Sequence, residues 1–502
     1  MDRTMLFPFI NAILVLFLLL AAFIGLYSLY IYYVRNVKYR HFPHTKPKHF
    51  FWGHAIELFG EEGKTGVYRG YKWLQWAETL GPTFCIFILH RVIIISGDPV
   101  VIKELLTHSK YPKSKSGYER TSKVYGMRLL GNGIVTNTDH ESWKKRRKVF
   151  DPAFHKKSLM NIMNYFNEGA NKFLDKLELF ADGHTGVCMA DIIGRVTLDV
   201  IGKVAFDMDI NSLDDPNNKF PAAINLCLMS LTKNLKNPYF MYLPWNWAEV
   251  EKTKDSLKLL RNFGQMCFEK RMKIMENEEV PNDILTSILN QFRNDDTLTM
   301  EDLIDDFITF FIAGQETTSN AVSFVLLMLA DHPDIRDRVI EEIEAVLGDK
   351  QQLEYSDIGK LEYLDQVWKE SLRLFPTAPG TLRDIPSATE INGIKYPSNS
   401  CVLMSFFVAH RYIGNYTDPD MFQPDRFAEG QTHVYCYLPF SLGMRSCIGS
   451  HFAWMEGKTL LARFLQSYEY ELIPGQGRGL REATTLKPAG GVMCTLNKRK
   501  RK

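Results

Sequence analysis

Phe440-Ser-Leu-Gly443-Met-Arg445-Ser-Cys447-Ile-Gly449 sets one cysteine among the fixed positions of the pattern F-x-x-G-x-R-x-C-x-G. Glycines on both sides let the backbone turn tightly and approach a flat group closely. An arginine two residues before the cysteine is placed to pair with a carboxylate and help hold the sulfur as thiolate. The run Ile448 to Met455 reads as a helix start, whose amide N–H groups favour an anionic sulfur. A cysteine that merely fills a core needs none of these neighbours. The arrangement suits a thiolate bound axially to haem iron, where it pushes electron density toward O–O cleavage.

Outward from this loop the 502-residue chain is of ordinary globular composition, 45% hydrophobic and 24% charged. Its formal net charge of +2 gives no reason to expect nucleic-acid binding. Eight cysteines without C-x-x-C spacing argue against a disulfide scaffold and a zinc site, and fit a reducing compartment. The N-terminus is different. Met5 to Val34 carries no charge and exceeds the roughly 20 residues that span a bilayer. Tyrosines 27, 30, 32 and 33 sit where an aromatic belt would lie, and Arg35, Lys38, Arg40, Lys46 and Lys48 follow. The positive-inside rule then leaves the bulk of the protein cytoplasmic. A cleaved signal peptide would need a shorter apolar core and small residues at its end. We therefore divide the chain into an anchor (1–34), a basic, proline-containing linker (35–54) and a catalytic domain (55–502).

Periodicity predicts a mainly α fold with a smaller β-rich part. Phe84 to Ser96 reads as a hairpin around His90-Arg91, and Leu159 to Phe180 as one long helical stretch. Met300 to Ala330 reads as one nearly unbroken helix of roughly 45 Å, ended by Asp331-His332-Pro333. Midway along it lies Ala313-Gly314-Gln315-Glu316-Thr317-Thr318. A helix-interior glycine costs about 1 kcal/mol, which close helix packing alone would justify. A weak point beside an acid and an alcohol also suits oxygen activation, which consumes two protons. Glu370 and Arg373 share a helical face at i,i+3, as do Trp143 and Arg147 at i,i+4. The basic tail Lys498 to Lys502 reads as a solvated or membrane-surface end.

The Cys447 loop, the A-G-x-E-T-T stretch, Lys369-Glu-Ser-Leu-Arg-Leu-Phe-Pro376 and Phe422-Gln-Pro-Asp-Arg426-Phe427 together resemble the cytochrome P-450 superfamily. The resemblance runs from about residue 40 to the C-terminus. It implies a cytochrome P-450 fold and haem as cofactor, with Cys447 as the metal ligand. Phe440, Gly449, Ala313 and Gly314 would border the haem, and Trp143, Arg147, Arg383 and Arg445 would hold its propionates. Thr317 and Glu316 would deliver protons at the oxygen site, with Glu370, Arg373 and Arg426 as a buried ion network behind the thiolate loop. Lys144, Lys145, Lys148, Lys156 and Lys157 would steer an acidic electron donor. The implied donor is the NADPH–haemoprotein reductase, since no G-x-G-x-x-G follows a strand in this chain. O2 is the implied co-substrate and the endoplasmic reticulum membrane the implied location.

Within the superfamily the resemblance is to the cholesterol 24-hydroxylases. It rests on Ser109 to Ser114, Glu141 to Phe154, Val280 to Thr286, Phe307 to Gly314 and Thr485 to Pro488. It implies an apolar, sterol substrate, with Tyr118, Ala313, Pro379 and Thr485 at the pocket. Pro376-Thr-Ala-Pro-Gly-Thr381 departs from it, since Pro379 stands where those relatives have a tryptophan. The alternatives are a broad-specificity xenobiotic or fatty-acid monooxygenase, a reductase-independent isomerase or dehydratase, and a haem sensor.

Overall fold

A computed structural model describes residues 3–59, 68–276, 279–280, 283–295, 297–428 and 434–500. Pro281 and Asn282 of the quoted stretch and the last two residues of the basic tail lie outside these. The helices that matter for the site are α1 (Arg3–Tyr33), α2 (Pro99–Thr107), α3 (His140–Phe150), α4 (Met189–Phe206), α5 (Met300–Asp331), α6 (Glu362–Leu374), α7 (Phe406–Arg411) and α8 (Ser450–Ser467). The strands are β1 (Thr83–Ile88), β2 (Arg91–Ser96), β3 (Gly380–Ile385), β4 (Ser400–Ser405), β5 (Leu480–Ala483) and β6 (Thr485–Pro488).

Helix α5 runs through the middle of the molecule, with α4, α6 and α8 packed against it. It starts at a reciprocal capping box between Thr299 and Asp302 and ends before Pro333, which opens the next helix. Along its length it is almost wholly buried. Apolar side chains such as Phe307, Phe311, Val322 and Leu326 supply most of that burial. At Gly314, α4 packs close against α5. A Cβ there would stand 2.8 Å from Ile201 Cγ1, so the helix-interior glycine permits that approach.

β1 and β2 pair antiparallel across Leu89-His90, as the hairpin reading expects, and β2, β4 and β3 complete a four-stranded sheet. The expected long helix over Leu159 to Phe180 is two, Lys156–Met160 and Met163–Glu178, with the chain turning at Asn161-Ile162. The hydrophobic period continues through the turn, because both pieces bury one face in the same core.

Within Asn11–Lys38, the most apolar 18-residue window of the N-terminal helix has a mean hydropathy of 2.7, and none of that window is buried in the protein. The helix passes through a π-helical turn, Val34–Lys38, and docks on the β1–β2 hairpin. There Arg35 donates to the carbonyls of Phe50 (2.5 Å) and Leu89 (2.9 Å). Tyr39 and Phe42, in the segment read as a linker, are buried against the sheet region, with the Tyr39 hydroxyl 2.9 Å from Ser400 Oγ.

Candidate functional site

The cysteine loop is closed by its own backbone. The Cys447 N–H donates to Phe440 O (2.9 Å) and the Ser446 N–H to Gly443 O (3.0 Å). Gly443 has φ +73°, and a Cβ there would lie 2.2 Å from the Leu106 carbonyl oxygen at the end of α2. Glycine is therefore needed twice over, for the dihedral and for the approach. Gly449 leads into α8, and a Cβ on it would meet nothing. Cys447 is exposed, but to an internal space enclosed by protein. Burial pushes its thiol up, while the Gly449 backbone N–H and the Arg147 guanidinium pull it back.

Cations gather on the same region. The Arg445 guanidinium stacks 3.8 Å over the Trp143 ring and donates to Asn137 O (3.0 Å). Arg147 donates to Ser446 O (2.7 Å), the carbonyl next to Cys447, and pairs with Asp151 (2.6 Å). Arg383, on β3, is buried, and among the described residues its side chain donates to Thr381 Oγ1 and to the Leu382 carbonyl. Lys113, not singled out from the sequence as a site residue, reaches Val135 O and lies 4.2 Å from the Tyr118 ring centre. Among the described residues Lys113, Arg383 and Arg445 form no ion pair. Burial, then the charge of Arg383, pushes Arg445 down to about 9, and burial above all pushes Lys113 down to about 8. Buried cations without counter-charge are costly.

The donor set fits a dianionic, flat group bound by a thiolate: Cys447 opens on an internal space, and unpaired cations stand at its margin. Haem with its two propionates is such a group. When bound, it supplies the redox and oxygen chemistry of a haem-thiolate iron. The residues that would hold it are Cys447, Trp143, Arg147, Arg383 and Arg445, with Lys113 added.

The expected ion network is assembled. Arg373 donates to both carboxylate oxygens of Glu370 (2.7 and 2.8 Å), and Arg426 Nε reaches Glu370 Oε1 (3.0 Å). Glu370 and Arg373 are wholly buried. A residue missed by sequence reading links them to the cysteine loop. His410 of α7 faces Arg373 O with Nδ1 (3.1 Å) and accepts the Leu438 N–H at Nε2 (2.7 Å). That pairing needs a neutral ring, and burial together with Arg373 pushes the His410 pKa down to about 3. A lone histidine in Val408-Ala-His-Arg411 carries no such signal by itself.

On α5, Ala313, Gly314, Gln315 and Thr317 are the only half-buried residues between Leu303 and Leu327, so the helix opens onto internal space at this point. The Thr317 hydroxyl donates to Ala313 O (2.7 Å). Glu316 turns toward β6, where its Oε1 meets Lys487 Nζ (2.7 Å) and the Thr485 hydroxyl (2.8 Å). Thr485, expected at the substrate pocket, is thus engaged with Glu316. Tyr118, expected to meet substrate, hydrogen-bonds Thr381 (2.8 Å) beside the cation cluster. Burial raises its phenol, and Lys113, Thr381 and Arg383 outweigh that to hold it below its usual range. Pro379 precedes β3 and accepts the Phe406 N–H at 2.9 Å. Lys144, Lys145, Lys148, Lys156 and Lys157 are all exposed. Arg146, in the same basic run, is instead buried against Asp306 (3.4 Å) and Asn132 O (2.5 Å).

Fold and site together fit a haem-thiolate protein. The family model "Cytochrome P450" matches residues 43–495, and the chain belongs to that family, whose members are monooxygenases. It is 29% identical to cytochrome P450 4d2 of Drosophila melanogaster over 418 residues, 78% of this chain and 82% of that one. Cytochrome P450 4V2 of Mus musculus is 30% identical over 397 residues, 74% of each chain. Cytochrome P450 3A41 of Mus musculus is 27% identical over 414 residues, 79% of this chain and 81% of that one.

Proposed function

We propose that this monooxygenase acts on varied apolar substrates, of fatty-acid or xenobiotic type, rather than on one sterol. It takes electrons from NADPH through a partner reductase docking on the exposed lysines of α3 and of the helix Lys156–Met160. The observation that carries the site assignment is Cys447, exposed yet surrounded by protein, two residues from an Arg445 that neighbours Arg383 and Lys113, three cations that form no ion pair among the described residues. Cys447 and the cations bind the cofactor, and Thr317 holds a hydroxyl at the α5 opening. The N-terminal span anchors the enzyme in the endoplasmic reticulum membrane, with the catalytic body on the cytoplasmic side.

Three features support the broader substrate. The relatives matched above belong to the P450 4 and 3A groups. Pro379 stands in place of a large aromatic. Tyr118 and Thr485 already spend their hydroxyls inside the protein. A second reading, a cholesterol 24-hydroxylase-like sterol hydroxylase, is favoured by the stretches Glu141 to Phe154 and Phe307 to Gly314. Binding spectra and product analysis, with reductase and NADPH, on fatty acids, drug-like amines and cholesterol decide between them. Selective, tight response to cholesterol alone overturns the broad reading. Turnover that needs neither NADPH nor reductase overturns the monooxygenase assignment in favour of an isomerase or dehydratase.

A further inference from the structure

The last turns of α1 belong to the catalytic body. Ile31, Val34 and Arg35 are buried, and the π-helical turn Val34–Lys38 directs Arg35 toward the β1–β2 hairpin. There its planar fork of donors takes three backbone carbonyls on two segments, Phe50 (2.5 Å), Phe51 (3.3 Å) and Leu89 (2.9 Å). The guanidinium also lies 5.9 Å from the Phe50 ring centre and 5.5 Å from that of Phe87. Gly53 permits this crowding. Its φ is +62°, and a Cβ there would stand 2.2 Å from Phe87 O and 3.1 Å from Arg35 Nη2.

Further fastenings flank Arg35 on both sides. Two turns earlier the Tyr27 hydroxyl lies 3.0 Å from His90 Nδ1 at the hairpin tip, and the Tyr30 ring is 6.0 Å from the His90 ring. After it, Tyr39 and Phe42 are buried, His41 Nε2 is 2.5 Å from Lys395 O, and Pro43 O accepts the Cys85 N–H (2.9 Å). A flexible tether is a solvated coil without such bonds. Tyr27 stands roughly 12 Å from Arg35 along the helix axis, within the tyrosine belt that marks a membrane interface. A hairpin tip that meets Tyr27 and Tyr30 therefore sits at headgroup level. It carries the exposed Arg91, whose charge suits anionic lipid.

We propose that Arg35 pins the membrane span and the catalytic body into one rigid unit, so that the bilayer holds the body at a single tilt with the β1–β2 tip, His90 and Arg91, against anionic lipid headgroups. The pin needs the fork. Lysine keeps the positive charge that orients the span, but it lacks the planar set of donors that bridges the two segments.

The proposal rests on the anchored reading of the N-terminal span. The test places full-length, haem-loaded wild type, Arg35→Ala and Arg35→Lys in oriented bilayers containing phosphatidylserine. Polarised absorption of the haem then reads its tilt and the spread of that tilt. The wild type should show strong dichroism from one narrow tilt. Both variants should lose most of it, with haem content and retention after an alkaline wash at wild-type levels. A Gly-Ser hexapeptide inserted between Tyr33 and Val34 leaves the Arg35 bonds in place but frees the span. It should lose the dichroism too, even where the Arg35 variants fold poorly. Benzoylphenylalanine in place of Arg91 should capture phosphatidylserine on illumination, and Arg35→Ala should lower the yield roughly tenfold. Wild-type dichroism in Arg35→Lys or in the insertion variant, or no lipid captured at position 91, overturns the proposal. Isotropic haem in a membrane-retained wild type overturns it as well and leaves the anchor reading standing. Release of the wild type by the alkaline wash overturns the anchor reading and the proposal with it.

Discussion

Replacing Arg373 by alanine tests the link between the buried ion network and the cysteine loop. Arg373 makes five hydrogen bonds: two to Glu370, and one each to the carbonyls of His410 (2.8 Å), Pro419 (2.6 Å) and Met421 (3.1 Å). Alanine leaves Glu370 wholly buried, with Arg426 and the Gln423 N–H as its remaining partners among the described residues (3.0 and 2.9 Å). Breaking one side of a buried pair costs about 3–5 kcal/mol. Each carbonyl that loses a charged donor adds up to roughly 1–3 kcal/mol, with less than additive effect at one site. Against a typical total stability of about 5–15 kcal/mol, the segments around residues 410 and 419–421 should let go first. His410 would then carry the disturbance to Leu438 and the loop. The assay is the haem-to-protein absorbance ratio after expression, with thermal melting of the purified protein. Arg373→Ala should hold little haem and melt well below the wild type. The pair Glu370→Leu with Arg373→Met should recover part of the loss, since no carboxylate is left buried and Arg426, the more exposed member, keeps its donations to Thr417 O and Asp418 O. Normal haem content in Arg373→Ala, or a double variant worse than the single one, would refute the reasoning.

Acid should act through His410. Its pKa is about 3 when folded and about 6.5 when unfolded, so between those values the unfolded chain binds a proton that the folded one refuses. Its contribution is complete above pH 6.5 and is lost as pH falls toward 3, amounting to about 5 kcal/mol at most. His410→Gln should flatten this part of the melting-versus-pH curve; an unchanged slope counts against it. Arg445→Leu relieves repulsion in the haem-free protein and removes a propionate partner in the loaded one. Haem affinity should fall roughly 10- to 100-fold while haem-free melting stays level or rises; equal loss in both states contradicts the propionate role. Changing Lys144, Lys145 and Lys148 to glutamate should slow reduction by the partner reductase and weaken its salt dependence, which stopped-flow reduction at several ionic strengths measures.

Local chemistry made some features legible in the chain. The long helix announced itself by an apolar run with a polar start and an Asp-His-Pro stop, and the hairpin by β-branched residues around His90-Arg91. The cysteine loop needed glycine at 443 for a positive φ and a close backbone approach, so its signature is written in residue types. Lys113, Arg146 and His410 were not legible as site or core residues. Each is a single polar residue whose meaning comes from partners remote in sequence: Val135 for Lys113, Asp306 for Arg146, Leu438 for His410. Glu316 was legible as an acid beside an alcohol, but not its direction, because Lys487 lies on a hairpin 171 residues away. The break at Asn161-Ile162 was hidden because both flanking helices keep one apolar period.

The most direct test of the account is the carbon-monoxide difference spectrum of the reduced protein, compared between the wild type and Cys447→His. A thiolate ligand gives a strongly red-shifted Soret band, and this band should be present in the wild type. In Cys447→His it should move to the shorter wavelength of an imidazole-ligated haem, with Arg445 and Arg383 still retaining the cofactor. A red-shifted band that persists in Cys447→His, or its absence from a fully haem-loaded wild type, would contradict Cys447 as the iron's ligand.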